Sequence, residues 1–263
     1  MSGMSGKNAV EKLRVRDREI QLIRHSVALL NWDQETGMPK RGIGERSEQL
    51  GLLEGLAHEK LASDEIGELL LEAGSSPAKP AGDRDLETPE AAFLRALRRE
   101  YDRATKIPNR LVTELAQEVS TAQSVWVDAR SRNDFDAFAP HLEKLLALNI
   151  EKAQAVGYED HPYDSLLDEY EPWMTTKKVG SVFSDLKGAL VPFVQELKEK
   201  DDVDSSFLSQ HYPIEQQKAL SRRILEDMGY DFERGRLDVT AHPFTTAVGG
   251  DDVRITTRYH ENN

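Results

Sequence analysis

The chain has 263 residues, enough to bury a substantial core as one large domain or two smaller ones. Lys and Arg number 34 against 47 Asp and Glu, a net charge of -13, so no basic excess exists to replace the counterions of a nucleic acid or to settle on an anionic membrane. There is no cysteine, which excludes disulfides and thiolate metal sites and fits the cytosol, and neither a membrane span nor the apolar core of a signal peptide is present.

The opening MSGMSGK looks like a repeated start and stays outside the fold argument. Leu13, Ile20, Ile23, Val27 and Leu30 then keep helical spacing, which predicts a helix over 10–30 that Met38-Pro39 stops. Leu50, Leu53, Ala57 and Leu61 predict a second helix over 45–62. Ser63 with Asp64 and Glu65 is suited to start a short third one that Gly74 ends. Residues 74–87 (GSSPAKPAGDRDLE) are the only stretch of linker composition.

Thr88-Pro89-Glu90 combines a cap, a first-turn proline and an early acid, and predicts the next helix start. Pro108 opens another helix, with the stripe Leu111, Leu115, Val119, Ala122, Trp126 and Ala129. Leu142, Leu145, Leu146 and Ile150 mark a helix ending near Gly157. Val179, Val182, Phe183, Leu186, Leu190, Phe193 and Leu197 form a further amphipathic helix, kinked by Pro192, and a last helix spans 214–228.

From Arg236 to Tyr259 the period changes to two. Leu237, Val239 and Ala241 alternate with polar neighbours, as do Val253 and Ile255 beyond the turn Gly249-Gly250-Asp251. Two short strands joined as a hairpin with a longer loop are expected, and His242, Asp252, Arg254, Thr256 and Arg258 gather around the turn as candidate ligand-binding residues. The predicted fold is mainly α, with one small β-hairpin near the C-terminus. It divides into a helical subdomain over 1–74, a linker over 75–87, a helical body over 88–235 and the hairpin over 236–263.

Four separated segments carry a resemblance. His242-Pro243-Phe244 followed by Asp252-Val253-Arg254-Ile255-Thr256 resembles the HPF and D-x-R-x-T motifs of the carboxypeptidase Taq family of zinc metallocarboxypeptidases. NWDQETGMP (31–39) resembles that family's W-D-x-E-T-x-M-P signature. YDSLLDEYEPWMTT (163–176) resembles a stretch that usually reads D-x-Y-E-P-G-M-T, with Trp173 where glycine is usual. The surroundings of 214–239 resemble the family as well.

The resemblance runs from about Leu13 to Tyr259 and implies the N-terminal half of a multi-helix metallocarboxypeptidase. In the family an H-E-x-x-H zinc helix follows soon afterwards; this chain ends before it. The resemblance implies that 1–74 acts as a lid, that zinc serves the complete enzyme, and that the complete enzyme's substrate is a peptide C-terminus. It also implies either a homodimer or association with the missing C-terminal half.

The residues themselves agree about the metal. A zinc peptidase needs two imidazoles on one helical face, a neighbouring glutamate base and a third ligand. The histidines are His25, His58, His141, His161, His211, His242 and His260, and no two are four apart. His58-Glu59-Lys60-Leu61-Ala62 has alanine where the second histidine belongs, and His260-Glu261 ends too soon; both read as surface histidines. Nor is there a GxSxG elbow, a P-loop or a strand-anchored GxGxxG. No catalytic residue, metal site or cofactor is expected in this chain alone.

Glu114 with Glu118, and Asp168-Glu169-Tyr170-Glu171, read as solvated acidic faces. Trp32, Asp33 and Glu35 read as a helix-end anchor before a cleft-closing element. Arg254 or Arg258 suits bidentate capture of a substrate carboxylate, with Asp252 and Thr256 orienting it; a structural salt bridge within the strands is the equal alternative. His242 either faces a cleft and donates to substrate or holds the hairpin backbone, and Phe244 is expected in the core. A naturally short, non-catalytic helical protein that binds peptides or a partner chain is the rival to the carboxypeptidase reading.

Overall fold

A computed structural model describes residues 2–262. The chain divides into two compact units, Met1–Val156 with Thr246–Asp252, and Gly157–Thr245 with Val253–Asn263.

The first unit carries α1 (Ser2–Thr36), α2 (Ile43–Leu61), α3 (Asp64–Glu72), α4 (Pro89–Ala104), α5 (Asn109–Arg132) and α6 (Phe135–Val156). Its core joins Leu13 and Ile20 of α1, Ala57 and Leu61 of α2, Ile66 and Leu70 of α3, and Leu94 and Leu97 of α4. Each large side chain fully buried there contributes about 1.5–3 kcal/mol. Gly51 and Gly55 let α2 lie close to α5, because a Cβ at either would come within 2.7 Å of Gln117 or 2.8 Å of Thr113.

The predicted starts and stops are visible. Ser63 caps α3 and Thr88 caps α4 through their hydroxyls. Gly74, at φ 80°, closes α3 with Ser75 N donating to Leu70 O at 2.8 Å. The first helix is longer than expected because NWDQET contains no breaker. It ends where Gly37 N and Met38 N both donate to Asp33 O.

Residues 75–87 lie within the first unit and form a packed loop. Ser75 and Ala81 are buried, Ser75 Oγ donates to Pro80 O at 2.6 Å and Arg84 Nη1 donates to Ala73 O at 2.7 Å.

Two apolar stripes face differently from expectation. Val119 of α5 is exposed whereas its neighbours Glu118 and Ser120 are buried. In α6 Leu142, Leu146 and Ile150 are exposed while Leu148, Ala153 and Val156 are buried. A helix with apolar residues on more than one side leaves the choice of inner face to its neighbours, here α5 against α2 and α6.

The second unit contains α7 (Pro162–Leu167), α8 (Thr176–Lys198), α9 (Ile214–Asp227) and most of a three-stranded sheet of β1 (Gly235–Val239), β2 (Thr245–Gly249) and β3 (Asp252–Thr257). Asp164 of α7 accepts from Thr176 N at 2.7 Å at the start of α8.

The sheet corrects the expected hairpin. Its order is β1-β3-β2, and β1 runs parallel to β3, with Gly235 opposite Val253 and Val239 opposite Thr257. The hairpin is formed by β2 and β3 across Gly250-Asp251. The loop expected between two strands thus contains a strand of its own, TTAVG, in which the β-branched Thr245, Thr246 and Val248 suit a pleated surface. Gly235 permits the close passage of β1, since a Cβ there would lie 2.2 Å from both the Tyr230 hydroxyl and the Val253 carbonyl.

Trp173 occupies the left-handed region at φ 65°. It stands where the resembling family carries glycine, the residue that adopts this conformation without steric cost. Asp168 Oδ1 accepts from Trp173 N at 2.8 Å and Lys178 Nζ donates to Trp173 O at 3.2 Å, while the indole is 77% exposed.

Candidate functional site

Within β3, strand alternation puts Asp252, Arg254 and Thr256 on one face. Thr256 is buried. Its hydroxyl donates to Phe244 O at 3.0 Å and accepts from Phe244 N at 2.8 Å, and the buried Thr240 hydroxyl lies 3.0 Å away. Arg258 is exposed just past the strand, with Nη1 donating to Ala241 O at 3.1 Å. Thr256 and Arg258 therefore fasten the segment 240–244 to β3, and with it the exposed His242. Phe244 is half-buried and held through its backbone, short of the core position expected for it.

Asp252 and Arg254 are half-buried nearer the turn. In the parallel register Arg254 stands beside Arg236, and Asp238 beside Thr256. Arg236 makes two 2.7 Å bonds to Asp238. Arg-x-Asp in a strand places both side chains on one face, a signal that the sequence carries but that lies outside the five candidates.

A cleft of about 580 Å³ opens beside β1, among Lys218, Arg222, Phe232, Arg236 and Tyr259. None of the five residues proposed from sequence lines it. Each of its cations already has a carboxylate: Lys218 with Glu215, Arg222 with Glu226, Arg236 with Asp238. Arg222 also lies over the Phe232 ring at 4.1 Å. A substrate carboxylate there would therefore compete with partners already in place.

Elsewhere the sequence candidates are structural. Asp33 accepts from Arg46 at 2.6 Å, Arg46 also donates to Leu30 O at 2.6 Å, and Trp32 is buried, so Arg46 anchors the end of α1 to α2. Burial pushes the Glu35 carboxyl up. His58 is half-buried rather than on the surface; its Nε2 lies 2.8 Å from Ile107 O, and burial lowers its pKa despite that bond.

Glu118 also departs from the expected solvated face. It is 5% exposed and lies 2.7 Å from His141 Nδ1 and 2.5 Å from Lys144 Nζ. Burial pushes its carboxyl up, but the bonds to Lys144 and His141 outweigh that and hold it below the usual range. Glu114 pairs separately with Arg110.

Among the described residues no three His, Asp or Glu side chains are grouped to hold a metal ion. The Glu118–His141 pair does not fit one either, because the Lys144 ammonium fills the place a cation would take. The residues present do not fit a catalytic zinc.

The described chain is a set of helices followed by a small sheet, with HPF in the loop before β2 and D-x-R-x-T in β3. Residues 12–263 match the model of the carboxypeptidase Taq (M32) metallopeptidases, and the chain belongs to that family. It is 39% identical to thermostable carboxypeptidase 1 of Thermus thermophilus, over 98% of this chain and 52% of that protein. It is 38% identical to carboxypeptidase 1 of Bacillus subtilis, over 90% of this chain and 46% of that protein. The crystal structure of BsuCP superposes with a TM-score of 0.88 at 34% identity, covering 99% of this chain and 50% of that one. The chain thus spans about half the length of the relatives it matches.

Proposed function

We propose that this chain is the N-terminal portion of a zinc-dependent metallocarboxypeptidase that releases C-terminal amino acids from peptides, and that it is inactive alone. The observation that carries this reading is the family match over 12–263 combined with coverage of only about half of each relative. The spacing of the histidines supports it, since no helix can present two of them one turn apart.

In this reading zinc belongs to the complete enzyme and is held by residues outside this chain. Arg254 or Arg258 contributes to binding the substrate's terminal carboxylate. Asp252 and Thr256 orient it, and His242 edges the cleft of the complete enzyme. The bonds from Thr256 and Arg258 to 240–244 support a positioning role for both. A cytosolic setting and association with the remaining half, or with a second copy, belong to the same proposal.

The test is release of a C-terminal amino acid from a peptide with zinc present. The chain alone should release none. Mixed with the part of the Bacillus subtilis carboxypeptidase that it does not match, it should become active, and Arg254→Ala should lower turnover about 10- to 100-fold. Unchanged kinetics in that variant would remove Arg254 from the site. A mixture that associates yet stays inactive would leave the rival reading, a non-catalytic peptide- or partner-binding protein.

A further inference from the structure

Among the described residues every fully buried hydrophobic side chain lies in the first unit; the buried residues of the second are Ser165, Thr240 and Thr256. A unit of this size ordinarily surrounds a hydrophobic core of its own. The missing cover is most apparent on α8. Val179, Phe183, Leu186, Leu190, Phe193 and Leu197 repeat at intervals of four, three, four, three and four residues, yet no residue of the helix is buried. Phe183 is 63% exposed and Leu190 47%. A strict 4-3 repeat sustained along a helix is the seam that receives another helix, knobs into holes.

We propose, resting on the family reading above, that the α8 seam is the docking face for a helix of the half of the family fold that this chain does not span. The solved relative matches 99% of this chain with only 50% of its own length, so in that fold an equal amount of polypeptide remains to be packed. Charge disfavours a second copy as the occupant, because each chain carries -13 and self-association would bring like charges together. The opposite face of α8, with Ser181, Ser184 and Gln195, is polar and suits solvent.

The experiment titrates this chain with the unmatched part of the Bacillus subtilis carboxypeptidase as a separate polypeptide. The double variant Phe183→Asp/Leu190→Asp should weaken association roughly 100-fold, as expected for two central apolar contacts. Ser181→Asp/Gln195→Asp adds the same charge to the opposite face and should leave the dissociation constant within about twofold of wild type. Equal loss in both double variants, or none in the seam variant, overturns the proposal, as does the absence of association by a wild-type chain that circular dichroism shows to be folded.

Sedimentation of the chain alone decides the other occupant: a dimer abolished by the seam variant would assign the face to a second copy and overturn the proposal. A chimera joining the two parts in one polypeptide covers the case in which the added part does not fold alone. There the seam variant should lower Tm and the control variant should not; equal Tm values overturn the proposal. Association that depends on the seam but restores no peptidase activity would sink the proposed function and leave the docking face standing. Restored activity with seam-independent association would do the reverse.

Discussion

The first and second units are both built from amphipathic helices, but they bury different amounts of them. In the first, α1 to α4 close on one another, and Leu13, Ile20, Leu70 and Leu94 vanish from solvent. In the second, α8 carries an apolar seam at least as regular and fully buries none of it. Pattern sets which side of a helix is apolar; burial needs a second surface. Stability should therefore be unevenly distributed, with the first unit held by its core and the second by local bonds such as Asp164 to Thr176 and Thr256 to Phe244.

The largest difference is expected between two leucine truncations in the isolated chain. Leu94→Ala, in the core, should cost about 2–5 kcal/mol in urea unfolding. Leu190→Ala, on the seam, should cost no more than about 0.5 kcal/mol until the seam is covered. Similar costs would mean that α8 already has a partner surface.

Acid sharpens the account of the first unit. The folded Glu118 carboxyl titrates below the usual glutamate value of 4.5, because the bonds to Lys144 and His141 outweigh burial. A depressed folded pKa gives stability that is fully present above that value and lost as the pH falls through the folded one. Glu118→Gln should cost about 1–3 kcal/mol at pH 7, and the gap from wild type should shrink below pH about 4.5. A gap independent of pH would show that the interaction with Lys144 and His141 does not depend on charge.

A smaller effect than that of Glu118 is expected in the second unit. Trp173→Gly relieves a left-handed residue and should slow exchange of the amides in 168–178 roughly fivefold, corresponding to about 1 kcal/mol. Faster exchange would mean that the indole contributes more than its backbone conformation costs.

The mainly helical fold, the caps at Ser63 and Thr88, the stops at Gly74 and Met38-Pro39, and the family are all legible along the chain. These follow from local rules or from motifs read one residue at a time, so no neighbour is needed to see them. His242, Asp252, Arg254, Thr256 and Arg258 were also legible as a group around one turn.

Tertiary structure alone decided how that group is arranged: β1 lies parallel to β3, β2 takes the far edge, and the Thr256 hydroxyl is occupied with Phe244. It also turned Val119 and Leu146 outward, drew Glu118 inward, and left the α8 seam open. Strand order and the choice of buried face depend on which surfaces meet across long stretches of chain, and periodicity along one segment carries no information about the segment it will meet.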